Sequence, residues 1–250
     1  MAPSVFLRVF STGAPRRLSI ELLRALEKAR LGWDVDFHWF KLFTSNPLNE
    51  LFAQARTTKA DFVILLPDDI APADPADLYK MVERNVPVCD ALLPVWNTGT
   101  LYWNCYHLTP DDVLFSVDHT HMQNVEQVYQ TALGMGCYRR DVVDAFAGEA
   151  AFVGNEHPDG TLADQGGSDV EFCRELHRRD IPMFVDTTVK VKHFRPVELS
   201  ELVDAFQAHR PTSYGLPAMV RKDVRELRFP RCASYRKNWN EGKVYRPSGI

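Results

Sequence analysis

The run at residues 62–66 constrains the fold of this chain more than any other stretch. Its five residues, FVILL, are all apolar, so the run lacks the alternation of a strand with one solvated face. A short run of this kind is typical of a central strand in a parallel sheet, buried on both faces. The turn Pro67-Asp68-Asp69 would then follow the carboxyl end of that strand, where open α/β sheets bind their ligands.

The rest of the chain alternates between strand and helix patterns. Strands are predicted at residues 5–10, 34–40, 62–66, 86–95, 183–186 and 189–193, and helices at 18–29, 46–58, 76–84, 141–146, 169–179 and 197–209. Such alternation predicts an α/β fold with a mostly parallel central sheet flanked by helices. The stretch 94–129 is aromatic, irregular and hard to assign. We expect one domain at residues 1–210 and a C-terminal extension at 211–250.

The composition is that of an ordinary soluble domain, with 45% hydrophobic and 25% charged residues. The net charge is -4, but residues 211–250 contain nine basic and three acidic residues, so the rest of the chain carries -10. An acidic body argues against a surface coated for nucleic acid binding. The basic extension either meets an anionic ligand, folds back on the body or is a solvated terminus.

The five cysteines bear on the compartment. Their number is odd and no two have the spacing of a metal site, which is typical of free thiols in a reducing environment. The amino terminus lacks the basic start and apolar core of a secretory signal. No run reaches the roughly 18 apolar residues of a membrane span. We therefore expect a cytoplasmic protein without a membrane span.

Asp68 and Asp69 are the first candidates for chemistry. Adjacent carboxylates repel each other, and proteins tolerate that repulsion where a cation neutralises it. A divalent cation often takes one or two carboxylates and completes its coordination with water and ligand phosphates. The alternative is a structural turn in which Asp69 caps the loop before Pro72.

Asp169 and His193 are further candidates, each with a structural alternative. Asp169 opens a predicted helix, where it either caps the helix or is held as a general base. His193 follows a predicted strand and is either a hydrogen-bonded surface residue or a ligand that completes a site begun by Asp69. A rival metal-like cluster lies in the irregular stretch, where we expect a loop beside the site instead: Asp118, His119 and His121.

In this order and spacing, these clusters resemble the GT-A glycosyltransferases, and most closely the family 2 type, over residues 4–196. The stretch AQARTTKADFVILLPDDIAP resembles the family's helix, buried strand and DxD motif. The stretch QTALGMGCYRRDVVDAF resembles its acceptor-side strand and following helix. The stretch GGSDVEFCRELHRRDIPMFVDTTVKVKHF resembles its "ED" helix, return strand and metal-ligand histidine. The resemblance implies a GT-A type, Rossmann-like sheet with a small acceptor-side region.

Carried over by position, the resemblance implies a metal site and a catalytic base. Asp69 matches the last Asp of the DxD motif and His193 the histidine ligand, so both would bind Mn²⁺ or Mg²⁺. Asp169 matches the general base of the inverting enzymes. Two positions depart from the family pattern: Pro67 replaces the first Asp of DxD, and Ser168 replaces the Glu of "ED". The metal site would therefore have one carboxylate fewer than usual.

The resemblance also implies where the substrates bind. The donor nucleotide would contact Ser11, Thr12 and Asp68. The acceptor would lie beside Trp96, Trp103 and Gly136; the alternative for the tryptophans is that their rings only pack the smaller half of the domain. Because aromatic faces stack on sugars and on nucleobases alike, the acceptor is either a glycan or other small hydroxyl compound, or a hydroxylated base flipped out of DNA. Arginines of the extension could close over the diphosphate, for example Arg221, Arg225 or Arg228.

The predicted function is metal-dependent transfer of a sugar from a nucleoside-diphosphate sugar, with a UDP-sugar favoured, to an acceptor hydroxyl. Two alternatives stay open. A sugar-nucleotide nucleotidyltransferase shares the nucleotide-binding half of the sheet, although its usual Gly-rich, Lys-containing loop is here a loop with one glycine and two arginines at residues 11–17. A nucleotide- or glycan-binding module without catalysis is the other alternative, because Pro67 and Ser168 depart from the family pattern.

Overall fold

The computed structural model describes residues 2–11, 16–29, 32–39, 47–97, 100–109, 114–116, 122, 124–153 and 168–194. Its helices are α1 Arg17–Ala29, α2 Pro47–Thr58, α3 Asp77–Arg84, α4 Arg140–Ala145 and α5 Ser168–Arg178. Its strands are β1 Val5–Ser11, β2 Asp34–Trp39, β3 Phe62–Pro67, β4 Ile70–Pro72, β5 Val88–Ala91, β6 Pro94–Asn97, β7 Thr100–Trp103, β8 Cys105–Leu108, β9 Leu114–Ser116, β10 Val125–Val128, β11 Gln130–Thr131, β12 Gly136–Arg139, β13 Met183–Asp186 and β14 Val191–His193. The predicted helix at 197–209, the extension at 211–250 and the cluster at 118–121 lie outside the described residues.

Seven strands form the central sheet, in the order β10-β13-β5-β12-β3-β1-β2. Five of them, β1, β2, β3, β5 and β13, run in one direction, while β10 and β12 run antiparallel to their neighbours. The predicted α/β class, a mostly parallel central sheet flanked by helices, is thereby confirmed.

The predicted central strand β3 packs on both of its faces. It lies between β1 and β12, and residues 62 to 66 are all buried. Val63 and Leu65 belong to the core under α2, α4 and α5, whereas Ile64 and Leu66 belong to the core under α1 and α3. Successive side chains of a strand point to opposite faces, so each face of β3 needs apolar residues. The two cores explain why the run contains no polar residue.

The segment from residue 86 to residue 129 differs from its prediction. The sequence predicts one strand at 86–95, whereas the structure has two: β5 in the central sheet, and β6, which pairs with β7 in a separate hairpin. Pro94 is the first residue of β6. A proline lacks the N–H that the interior of a central strand would need, but it is tolerated at the first position of a strand. The stretch that resisted assignment contains further short strands, including the β8–β9 hairpin. Their aromatic residues favour strands but lack a regular alternation with polar residues.

The described cysteines lie in the core. Cys89, Cys105, Cys137 and Cys173 are buried and free, as predicted, and burial raises the pKa of each thiol. A protonated, buried thiol is a poor nucleophile, so these side chains act as small apolar packing groups. In the part of the chain that the structure describes, no helix is both long enough and apolar enough to cross a membrane.

His177 is a buried base near the end of α5. Its ring stacks on that of Tyr129 with 4.1 Å between the centroids, and its Nε2 donates to the Tyr129 carbonyl oxygen. Burial lowers the pKa of His177 to about 4, because a charged ring would lose its hydration in the core.

We expect acid to destabilise the fold through His177. The unfolded chain protonates this ring below about pH 6.5 and the folded chain only below about pH 4, so stability is complete above pH 6.5 and falls between these values. Over the whole interval, protonation of His177 would lower the free energy of unfolding by about 3 kcal/mol. Urea denaturation at pH 7 and pH 4.5 measures the effect: the wild type should lose more stability between the two pH values than His177→Gln. Equal losses would show that another group is responsible.

Candidate active site

The topology gathers four of the predicted site residues at one edge of the sheet. Ser11 ends β1, and Asp68 and Asp69 follow the end of the neighbouring parallel strand β3. The small β4–β14 ladder adds a segment that is distant in sequence, because Ile70 of β4 pairs with His193 of β14. This is the carboxyl edge of the parallel strands, where α/β sheets bind ligands.

Asp69 and His193 face each other across a short gap. His193 Nε2 lies 3.7 Å from Asp69 Oδ2, and the His193 side chain is only 5% exposed. His193 Nδ1 lies 2.7 Å from the carbonyl oxygen of Pro94, which can only accept, so Nδ1 carries the ring proton. In the neutral ring Nε2 is then an acceptor that faces a carboxylate oxygen, which also only accepts. Two acceptors that face each other fit a cation between them.

The donor set of this pair suits a divalent metal. Metal-binding imidazoles commonly donate their other N–H to a carbonyl or carboxylate, as His193 does to Pro94. Among the residues that the structure describes, no three His, Cys, Asp or Glu side chains cluster closely enough to hold a metal. Asp69 and His193 supply two protein ligands, so an ion held between them would complete its coordination with water or ligand phosphates.

Asp68 is bound to the elements around it. Its carboxylate accepts a hydrogen bond from Ser11 Oγ at 2.8 Å, and its backbone N–H donates to the Phe10 carbonyl oxygen at 3.0 Å. The Ser19 hydroxyl of α1 donates to the Asp68 carbonyl oxygen at 3.0 Å. Two of the predicted donor-binding residues, Ser11 and Asp68, therefore contact each other and tie the turn after β3 to β1 and α1. The third, Thr12, lies outside the described residues.

Arg16 also belongs to this edge, although sequence reasoning did not place it in the site. Its Nε lies 3.5 Å from Asp68 Oδ2, and its Nη1 donates to the Phe194 carbonyl oxygen at 3.2 Å. The guanidinium carbon lies 5.5 Å from the centre of the Phe194 ring, within cation–π range. The feature of the sequence that could have identified Arg16 is the basic pair Arg16-Arg17, which follows β1 in the chain.

Asp169 lies in the first turn of α5, on the face that continues into the core residues at positions 172, 173 and 176. Only residues 179–182 connect α5 to β13, so the helix runs antiparallel to that strand and begins toward the carboxyl edge. Burial raises the pKa of Asp169, and backbone N–H groups at the helix start partly offset this shift. Glu171 pairs with Arg174 instead, so the two acids differ in environment as their spacing predicts.

Asp90 is a second buried acid, which the sequence predictions missed. It lies in β5 with 0% exposure, and its carboxylate accepts from Thr131 Oγ1 at 2.6 Å and from the Met135 N–H at 3.0 Å. Burial raises the pKa of Asp90, and these hydrogen bonds partly offset the shift. The Thr131 carbonyl accepts in turn from Cys173 Sγ at 3.6 Å, which links β5 to the helix that carries Asp169. The feature of the sequence that could have identified Asp90 is an acidic residue within an otherwise apolar predicted strand.

The predicted acceptor-side residues differ in their surroundings. Trp96 lies in β6 opposite Leu101 of β7, and its side chain is outside the described part of the structure. Trp103 ends β7, is half-buried and packs against the core under α2 and α5. Gly136 opens β12 in a buried position where a Cβ atom would collide with the Tyr138 ring. Close packing against Tyr138 is thus one reason for a glycine at this position.

Comparisons with known proteins bear on the fold alone. No protein-family model and no curated protein matches the chain. Among solved structures, protein A197 from STIV is 15% identical, with a TM-score of 0.50 over 78% of this chain and 86% of that one. GalNAc-T7, solved with UDP, GalNAc and Mn²⁺, is 11% identical, with a TM-score of 0.45 over 78% of this chain and 44% of that one. CMP:2-keto-3-deoxy-manno-octonic acid synthetase complexed with CTP is 13% identical, with a TM-score of 0.44 over 83% of this chain and 99% of that one.

Proposed function

We propose that this chain is a glycosyltransferase that moves a sugar from a nucleoside-diphosphate sugar to an acceptor hydroxyl, with inversion at the anomeric carbon. The observation that carries the proposal is that Asp69 Oδ2 and His193 Nε2 lie 3.7 Å apart at the carboxyl edge of the sheet. A cation held there would lie where α/β sheets bind nucleotides, and a diphosphate is the anionic part of such a ligand.

The donor would bind at this edge through a metal and through the loop after β1. Asp69 and His193 would hold Mn²⁺ or Mg²⁺, which when bound would neutralise charge on the leaving diphosphate. Ser11, Thr12 and Asp68 would contact the nucleotide, with UDP favoured. Ser11 Oγ donates to Asp68 at 2.8 Å, so a direct hydrogen bond positions these two side chains relative to each other.

Asp169 would act as the general base. Its carboxylate takes the proton of the acceptor hydroxyl while that oxygen forms a bond to the anomeric carbon. The bond from the anomeric carbon to the diphosphate oxygen breaks, and its electron pair leaves with the nucleoside diphosphate. Attack from the face opposite to the leaving group inverts the anomeric centre. Burial raises the pKa of Asp169, which makes its carboxylate more basic than an exposed one.

The acceptor that we propose is a glycan or other small hydroxyl compound. Residues 1–210 carry a net charge of -10, which disfavours a contact of this surface with the phosphates of DNA. Trp96 and Trp103 would supply aromatic surface on which a sugar ring stacks, beside Gly136. An assay that offers a hydroxylated DNA base in parallel separates the two acceptor classes.

A thermal-shift screen of the full chain against UDP, GDP, CDP and their sugars, with and without manganese, tests the proposal. We expect one nucleotide to raise the melting temperature, and to raise it more with manganese; at 100 times its Kd a ligand adds about 2.7 kcal/mol of stability. No rise with any nucleotide would contradict the proposal. Turnover then separates the alternatives: a binding module releases no product, and a nucleotidyltransferase releases pyrophosphate from a nucleoside triphosphate.

A further inference from the structure

The guanidinium of Arg16 lies beside the Asp69–His193 pair, although it is bonded to neither residue. Its two polar contacts are to Asp68 and to Phe194, which are the chain neighbours of that pair. The Phe194 N–H donates to the Asp69 carbonyl oxygen at 2.7 Å, so the backbone that Arg16 contacts is itself joined to the pair. Arg16 therefore places a fixed positive charge at the edge where the donor diphosphate is proposed to bind.

The contacts of Arg16 hold its guanidinium in place while leaving it accessible. The Phe194 ring lies 5.5 Å from the guanidinium carbon, and the Phe194 carbonyl oxygen accepts from Nη1 at 3.2 Å. The Arg16 side chain is still 39% exposed. Its contact with Asp68, at 3.5 Å, is longer than a hydrogen bond and leaves Nε available to a stronger acceptor. A guanidinium held in this way loses little conformational freedom when an anion binds.

We propose that Arg16 binds the diphosphate of the donor nucleotide and that its guanidinium, together with the metal, neutralises the negative charge of the diphosphate. The inference rests on the proposed function. Pro67 leaves the metal with one carboxylate, and an arginine on the same edge neutralises the diphosphate directly, through two N–H groups that match two phosphate oxygens. Diphosphate binding should therefore persist, more weakly, when the metal is removed.

Arg17 provides a matched control for Arg16. It is the next residue in the chain and carries the same charge, but its side chain is 91% exposed and pairs with Glu21 of α1 at 2.7 Å. If binding depends on the position of the guanidinium, only Arg16 matters. If it depends on the overall charge of the loop, both arginines matter equally.

Isothermal titration calorimetry of the full chain with UDP and with inorganic pyrophosphate, each in EDTA and in manganese, tests the inference. We expect the wild type to bind both ligands in EDTA and Arg16→Ala to weaken this binding by about 10- to 100-fold, as the loss of a charged hydrogen bond does. Arg17→Ala should bind as the wild type does. Arg16→Lys should recover only part of the affinity, because an ammonium lacks the planar fork.

The outcomes separate this inference from the proposed function. If the wild type binds UDP in manganese but Arg16→Ala binds both ligands unchanged, or Arg17→Ala weakens binding as much, the inference is wrong and the proposed function stands. A wild type that binds neither ligand in EDTA also overturns the inference. If pyrophosphate binds through Arg16 but no nucleotide binds under any condition, the proposed function fails. Melting temperatures without ligand verify that each variant is folded.

Discussion

Replacing Asp169 with Asn should reduce sugar transfer by about 10³-fold and leave donor binding nearly unchanged. An asparagine has almost the same shape but cannot take the proton of the acceptor hydroxyl, and general base catalysis contributes roughly 10²- to 10⁴-fold. Because the base acts on the acceptor, the affinity for the nucleotide should not depend on it. Single-turnover transfer assays measure the first quantity, and calorimetry with the nucleoside diphosphate measures the second.

The same substitution should change the pH dependence of transfer. Asp169 must be deprotonated to act as a base, so the wild-type rate should fall as the pH drops through its pKa, which burial raises above that of an ordinary aspartate. The acidic limb of the profile should therefore begin at a higher pH than an exposed carboxylate would give. The residual activity of Asp169→Asn should lack this limb.

Glu171→Gln is the control for Asp169→Asn. Glu171 lies in the same turn of α5 and bears the same charge, but it pairs with Arg174 and does not continue the buried face of the helix. We expect this variant to keep near-normal transfer. If Asp169→Asn also transfers sugar at the normal rate, Asp169 is not the base. If both variants lose activity equally, the cause is the charge or stability of the helix.

Replacing Asp69 with Ala should abolish the manganese-dependent part of nucleotide binding. Asp69 is the carboxylate that faces His193, so it would provide the carboxylate ligand of the proposed metal site. Loss of a ligand should cost more than the roughly 10- to 100-fold in metal affinity that outer hydrogen-bond partners of a metal site cost. Calorimetry with UDP, with and without manganese, measures the difference, and electron paramagnetic resonance of manganese follows the metal itself.

Two further variants sharpen the test of the metal site. His193→Gln should lose manganese in the same way, because it removes the Nε2 acceptor that faces Asp69 at 3.7 Å. Asp36→Ala removes an exposed carboxylate from the edge strand β2 and should bind manganese and nucleotide as the wild type does. Unchanged manganese-dependent affinity in Asp69→Ala would refute its role as a ligand.

The elements of the fold were mostly predictable because local patterns specify them. The apolar run at 62–66 predicted β3, and the helical spacing of Leu18, Leu22, Ala25 and Ala29 predicted α1. Gly32, with φ of 70°, lies where the sequence ends that helical pattern. Prediction failed where no local pattern exists. The residues around Trp103 form short strands paired with their chain neighbours, β6 with β7 and β8 with β9, and their aromatic residues do not alternate regularly with polar ones, so no periodicity reveals them.

By itself, the sequence determined much of the strand–helix order, the buried central strand and the carboxylates that follow it. It also placed Asp169 at the start of a helix. The tertiary structure alone decided which distant groups meet: Pro94 fixes the tautomer of His193, and Arg16 lies beside Asp68 and Phe194. The reason is physical. Hydrophobic periodicity reports what a residue does within its own helix or strand, whereas contacts at a sheet edge depend on strand order and register, which long-range packing sets.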